Sequence, residues 1–324
     1  MGVSSALGSS ALLPAGLGFR NKIINGDMRV AQRGTSVTTS GAYTLDRWAQ
    51  VSGNSIVHTQ STDTPNASFL YSLSMAGTGT NIVQRIESLN CGGINGTITV
   101  SFWYKSTVGS DALSFALYTC NTADSFGSLT QVGSNITISS SPSSSWTYYS
   151  YTFTGVSSNS KNGVALYIFR GSGATSTTFV TGVQLEANSQ PTPFEQRPIG
   201  VELALCQRYY QRVNGSSSYS RFGVGTADTA TIGYVLIPFF VPMRTTSTAS
   251  QTLSYSAIGA SGNRLYLSDG TAITNLTSLA IGTTGSERNL SIQINTASGL
   301  TTFRTYYLEE TSTGDEWIAV SVEL

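Results

Sequence analysis

Alternation of apolar and polar positions, rather than helical periodicity, dominates the chain. Short runs rich in β-branched and aromatic residues recur at Gly96–Lys105 (GTITVSFWYK), Trp146–Phe153 (WTYYSYTF), Gly163–Phe169 (GVALYIF) and Thr178–Leu185. Turn pairs at Gly92-Gly93, Asn95-Gly96 and Asn162-Gly163 punctuate them. This spacing predicts an antiparallel sandwich, best fitted by a jelly roll, over residues 21–198. Pro191, Pro193 and Pro198 follow, and because proline fixes φ and lacks an N–H they predict a rigid connector at a domain boundary. Beyond residue 214 the strand pattern returns at Gly233–Val241, Arg264–Leu267, Leu290–Ile294, Phe303–Leu308 and Glu316–Leu324. In the last run Ile318, Val320, Val322 and Leu324 share one face and Trp317 the other, which predicts a second, smaller β-sandwich over 214–324.

One segment breaks the pattern. Residues 199–212 (IGVELALCQRYYQR) are rich in helix formers, and Ile199, Leu203, Cys206, Tyr210 and Val213 recur at spacings of four and three. A helix over 199–213 is too short to stand alone. It either packs on its own domain or self-associates as a collar. Residues 1–20 are small, apolar and Gly-rich, too short to fold by themselves, and are either an anchoring peptide or a free tail. No basic n-region and no unbroken apolar span mark a secretory signal or a membrane segment there.

Composition narrows the function. The chain of 324 residues carries Lys+Arg 17 and Asp+Glu 17, for a net charge of +0, and only 10% of residues are charged, against about 25% in an ordinary protein. Nucleic-acid binding through a diffuse basic field is excluded. The cysteines, Cys91, Cys120 and Cys206, are odd in number and widely spaced, so buried free thiols are expected and a disulfide framework is not. The lone histidine, His58, has no nucleophile signature around it. The adjacent acids Glu309-Glu310 and Asp315-Glu316 would point to opposite faces of a strand, so neither pair is a hydrolytic dyad. No cofactor or metal motif is present. The chain is therefore expected to be non-enzymatic.

Aromatics are the informative inventory, with 16 Tyr, 13 Phe and 4 Trp. A row of Tyr and Trp on a sheet face can stack on sugars while their polar tips hydrogen-bond. Within WTYYSYTF, Tyr149 and Tyr151 share one face and Trp146 and Tyr148 the other, so one face either carries exposed aromatics or is covered by packing. Candidate ligand contacts are Tyr149 and Tyr151 in the first domain, and Trp317, Tyr306, Tyr255 and Tyr266 in the second.

Four motifs carry a resemblance: NKIINGDMRVAQRGTS from Asn21, YTLDRW from Tyr43, VTGVQLEANSQPTPFEQRPIGVELALCQRYYQR from Val180, and FVPMR from Phe240. Together they resemble bacteriophage tail fibre and minor structural proteins, including those of cyanophages, over roughly residues 21–213. The resemblance implies a homotrimeric fibre subunit. Residues 1–20 would attach it to other virion tail or baseplate proteins, a carbohydrate-binding-module-like jelly roll would occupy 21–198, residues 199–213 would form the trimer junction, and 214–324 would be a receptor-binding head for host surface polysaccharide. It also implies that Asn25-Gly26-Asp27 and Val183–Glu186 are opening and closing strands. Some relatives hold a structural calcium beside them, although no ligand cluster here supports one. Assembly in the host cytoplasm and residence in the virion follow from the same resemblance. A connector or capsid-decorating fibre without a receptor role, and a depolymerising tailspike, are the alternatives, the latter disfavoured by the absence of long repeats.

Overall fold

A computed structural model describes residues 20–324 apart from 52–55, 78–80, 93, 108–112, 139–143, 171–175, 246, 248–249, 260–261, 263, 284 and 312–314. The expected attachment peptide thus lies outside the described residues, save Arg20. The chain divides into two compact units, residues 1–198 with Leu324, and residues 199–323.

Eleven strands build the first unit: β1 (Ser36–Val37), β2 (Ala49–Val51), β3 (Ile56–Ser61), β4 (Ser72–Gly77), β5 (Asn81–Ile86), β6 (Gly96–Ser106), β7 (Leu113–Cys120), β8 (Leu129–Ile138), β9 (Thr147–Val156), β10 (Val164–Arg170) and β11 (Thr178–Glu186). They form a six-stranded sheet in the order β1-β3-β4-β11-β6-β9 and a five-stranded sheet in the order β2-β5-β10-β7-β8. All pairings are antiparallel, as in the register Val100↔Tyr151 and Leu166↔Leu117. Alternate residues of both sheets meet in one core. Ile98, Val100 and Phe102 of β6 and Val180, Val183 and Leu185 of β11 face Phe115 and Leu117 of β7 and Val164, Leu166 and Ile168 of β10. Phe115 stands edge-on to Phe102 at 5.4 Å and to Phe153 at 6.0 Å, bridging the sheets through the favoured T-shaped geometry.

The second unit differs from the expected sandwich. It opens with helix α1 (Ile199–Gln207) and continues with β12 (Tyr210–Asn214), β13 (Arg221–Ala227), β14 (Ile232–Pro238), β15 (Thr252–Tyr255), β16 (Leu265–Ser268), β17 (Ile273–Ile281), β18 (Asn289–Thr296), β19 (Thr305–Glu310) and β20 (Trp317–Ser321). Six strands close into a barrel, β13-β14-β18-β17-β16-β19, and β12-β20-β15 form a separate three-stranded sheet. Both share one core, in which Ile318, Val320 and Val322 pack with Val235, Ile292, Ile294 and Leu308. Closure leaves no sheet edge, and it relies on Gly225, where a Cβ would lie 1.7 Å from the carbonyl oxygen of Tyr234 on the neighbouring strand.

The expected helix over 199–213 is also corrected. It ends at Gln207, and Tyr210 and Val213 belong to β12, paired with Ser321 and Ile318 of β20. The aromatic and β-branched residues at its end gain a ladder of backbone hydrogen bonds and a side of the core, which outweighs the weak helical preference of so short a segment. Cys206 and Tyr210 are buried within the protomer, Leu203 is half-buried, and only Ile199 of the predicted seam is exposed, at 53%.

Candidate functional site

On β6 the core takes the even positions from Ile98 to Tyr104, so Thr99, Ser101, Trp103 and Lys105 face outward from the six-stranded sheet. Register carries the pattern to the neighbours: Trp103 lies opposite Tyr148 of β9 and Thr181 of β11, and Lys105 lies opposite Phe179 of β11. The ring centroids of Trp103 and Tyr148 are 5.3 Å apart, and Tyr148 is 42% exposed.

Two irregular segments wall this face. The first is the proline connector, which lies over the outward side of β11. Buried Glu186 accepts from the Thr192 N–H at 2.9 Å and hydroxyl at 2.8 Å. Buried Gln184 donates to the Thr192 carbonyl at 3.1 Å and accepts from the Glu195 N–H at 2.8 Å. The second is the loop before β4, where Asn66 accepts from the Ser68 N–H at 2.9 Å and Thr181 donates to the Tyr71 carbonyl at 2.7 Å. Phe69 from the loop and Phe194 from the connector meet at 5.4 Å. Gly182 makes the junction possible: its φ is +64°, and a Cβ there would stand 2.9 Å from the Phe69 ring and 3.3 Å from Trp103.

The result is a cleft of about 540 Å³ lined by Trp103, Tyr148, Phe69 and Phe194 with Pro191 and Pro193, and by polar Asn66, Ser68, Ser101, Thr192 and Gln196. Among the described residues neither Ser68 nor Ser101 spends its hydroxyl on a protein partner; Ser68 is exposed at the cleft, whereas Ser101 lies in its floor at 2% exposure. Next to it on the same sheet face, Lys105 is ion-paired with Asp63 and lies 4.9 Å over the Phe179 ring, while the Trp146 indole N–H donates to Asp63 at 2.9 Å. Burial would raise the Asp63 carboxyl, but the hydrogen bonds from Lys105 and Trp146 and the Lys105 charge prevail and hold it below the ordinary carboxylate value.

The residues expected to contact ligand are elsewhere. Tyr149 and Tyr151 lie opposite the inward Phe102 and Val100 and are turned toward the core, edge-on to Phe115 at 5.8 and 6.1 Å. Tyr151 retains 37% exposure because β9 is an edge strand. Tyr306 is buried in the barrel core at 3% exposure, and Tyr266, 2% exposed, is buried on the face of β16 opposite the core residues Leu265 and Leu267, so both are corrected from ligand contacts to buried positions. The Tyr266 hydroxyl donates to Glu309 at 3.2 Å, and burial followed by the Glu309 charge pushes its pKa up to about 12. Tyr255 packs half-buried against the same core. Trp317 is half-buried and capped by the Arg212 guanidinium at 4.5 Å. None of these lines the cleft. The signal for Trp103 and Tyr148 was present, since both alternate out of phase with the apolar positions of their strands. The walls carried no such signal, because they depend on side chains far apart in sequence.

The motifs behind the resemblance do structural work. Asn21 donates to the Val183 carbonyl at 3.1 Å and accepts from the Leu185 N–H at 3.0 Å. Arg29 donates to the Arg197 carbonyl at 2.7 Å, and Arg197 in turn to the Ile23 carbonyl at 3.0 Å. Residues 25–28 form a turn rather than the opening strand expected, and Gly26 is needed because a Cβ would fall 2.2 Å from the Val183 oxygen. These contacts clasp the start of the unit to its end. Among the described residues no group of three or more His, Cys, Asp or Glu is placed to hold a metal ion, and no helix is long and apolar enough to cross a membrane. The three cysteines are free and buried; burial pushes Cys91 up to about 12 and Cys120 to about 11.

No protein-family model matches the chain, and no curated protein does. Solved structures with some likeness include a protein of Bacteroides thetaiotaomicron described as sugar-binding, at 13% identity and TM-score 0.39, covering 51% of this chain and 99% of that one. The enzymatically active domain of tailspike protein 4 of bacteriophage CBA120 gives 16% identity and TM-score 0.35, covering 52% and 21%. The CBM22-1 xylan-binding domain of Paenibacillus barcinonensis Xyn10C gives 15% and 0.32, covering 47% and 91%. Other carbohydrate-binding modules recur among them. At such identities and TM-scores below 0.5, likeness fixes neither ligand nor partner.

Proposed function

We propose that the cleft on the six-stranded sheet binds a glycan without cleaving it, and that the chain acts as a bacteriophage tail fibre subunit attaching the virion to a host surface. The observation that carries the glycan reading is the Trp103–Tyr148 pair standing beside the unengaged hydroxyls of Ser101 and Ser68. Flat apolar rings beside short polar groups match a sugar, whose ring faces are apolar and whose rim is hydroxylated. Among the described residues no carboxylate lines the cleft, which supports binding over hydrolysis. The cleft lies within residues 21–198, which supports a glycan site there rather than in the expected head at 214–324.

The fibre setting rests on the sequence resemblance. It includes a homotrimer, attachment of residues 1–20 to other tail or baseplate proteins, and a place in the virion. Since Cys206 and Tyr210 are spent inside the protomer, self-association would use the exposed Ile199 and Val201. The test is one preparation of the full chain, sized by light scattering and titrated against a polysaccharide panel. A trimer that retains a polysaccharide, with Trp103→Ala weakening binding about thirtyfold, is expected, corresponding to roughly 2 kcal/mol for a central aromatic contact. Undiminished binding by Trp103→Ala would remove the cleft reading, and a monomer would remove the trimer.

A further inference from the structure

We infer that the cleft selects uncharged glycans and discriminates against acidic ones, an inference that rests on the glycan reading above. Among the described residues, no ionisable side chain apart from the Tyr148 phenol lines the cleft. The charges around it are already engaged. Lys105 is paired with Asp63 and held against the Phe179 ring. Glu186 is saturated by the Thr192 N–H and hydroxyl and by Gln184. Glu195 accepts the Asn21 N–H at 2.7 Å, and buried Arg197 donates to the Ile23 and Asn21 carbonyls. Arg20 is exposed and reaches the Pro193 carbonyl at 3.4 Å, in solvent where an ion pair gains little.

A neutral sugar entering the cleft exchanges water for aromatic faces, hydroxyls and amides, with each partner suited to the other. A uronate or other acidic sugar surrenders part of its hydration to the same rings and meets at the rim only the solvent-exposed Arg20, where an ion pair gains little. Desolvating an uncompensated charge is the costliest event available at such a surface. The walls therefore act as a charge filter, and the low overall charge of the chain adds no long-range attraction to offset it.

The test titrates the full chain with neutral gluco-, galacto- and xylo-oligosaccharides and with the gluco- and galacto-oligosaccharides oxidised at C6 to uronates. Binding of a neutral hexose-based member, loss of at least about tenfold on oxidation, and an affinity indifferent to salt are expected. Gln196→Lys, which places a cation on the cleft lining, should narrow the gap in affinity between each uronate and its neutral partner. Uronates binding as tightly as their neutral partners, with a salt-dependent affinity lost in Arg20→Ala, would overturn the charge filter and leave the cleft reading intact. Binding confined to the xylo series with Gln196→Lys gaining no uronate affinity would likewise overturn it. Retention of all binding in both Trp103→Ala and Tyr148→Ala, each folded by circular dichroism, would overturn the cleft reading and this inference with it.

Discussion

The two units solve the same problem in opposite ways. Both are antiparallel and rich in aromatics, yet the sandwich turns Trp103 and Tyr148 outward beside a walled cleft, while in the second unit Tyr306 points into the barrel core and Tyr266 is buried on the face opposite Leu265 and Leu267. An open six-stranded sheet has an outer face that needs only one covering segment, and the proline connector covers part of it, leaving a cleft between connector and loop. The six-stranded barrel fills its interior with side chains, and on its outside the half-exposed Val224 and Leu236 lie opposite one another in the β13–β14 register. Aromatic content alone therefore does not identify a binding surface; what matters is which face carries the rings and what covers that face.

The sharpest way to test the separation is to unfold one unit without the other. Phe115 is fully buried and touches four aromatic rings, so Phe115→Ala should cost the sandwich about 4 kcal/mol. Denaturant unfolding followed by far-UV signal should show the sandwich transition moving to lower denaturant and the barrel transition staying in place. A single transition shifting as a whole would break the comparison.

Acid should also act on one unit. His58, the chain's sole histidine, is 1% exposed on β3 with neither ring nitrogen bonded among the described residues, and burial followed by the Arg170 charge lowers its pKa to about 4. The folded sandwich thus resists protonation while the unfolded chain takes up a proton near its ordinary pKa of about 6.5. Between these values the unfolded state binds more protons, so stability falls as pH drops from 6.5 toward 4, by up to about 3 kcal/mol. Thermal melts across that range should show a slope in the sandwich transition that His58→Gln flattens. An unchanged slope in the variant would assign the acid sensitivity to other groups.

The smallest change tests how the cleft is held. Gly182→Ala adds a Cβ against the Phe69 ring at a φ of +64°, costing stability by about 1 kcal/mol and moving the Phe69 wall. Glycan affinity should fall severalfold in a protein that remains folded; full affinity would show that the Phe69 wall takes no part.

Much of the sandwich was legible. The expected runs at 96–105, 163–169 and 178–185 fall within β6, β10 and β11 to within a residue at each end, because half-buried strands impose a period of two that glycine and asparagine turns interrupt. For β9 the same alternation separated Tyr149 and Tyr151 from Trp146 and Tyr148, but the split alone does not say which set is outside. The inner set was settled by register with β6, where Val100 and Phe102 lie opposite Tyr151 and Tyr149.

What the sequence by itself determined is local: β-structure nearly throughout, a proline connector near 198, a short helix after it, buried cysteines, and a near-neutral composition. Tertiary structure decided the rest. Whether the strands after 214 close as a barrel, where the helix yields to β12, and that Asn66, Ser101, Tyr148, Gly182 and Phe194 meet in one cleft all depend on pairings between residues tens of positions apart. Alternation fixes a strand's two faces within a few residues, whereas the choice between them depends on which distant strand supplies the covering side chains.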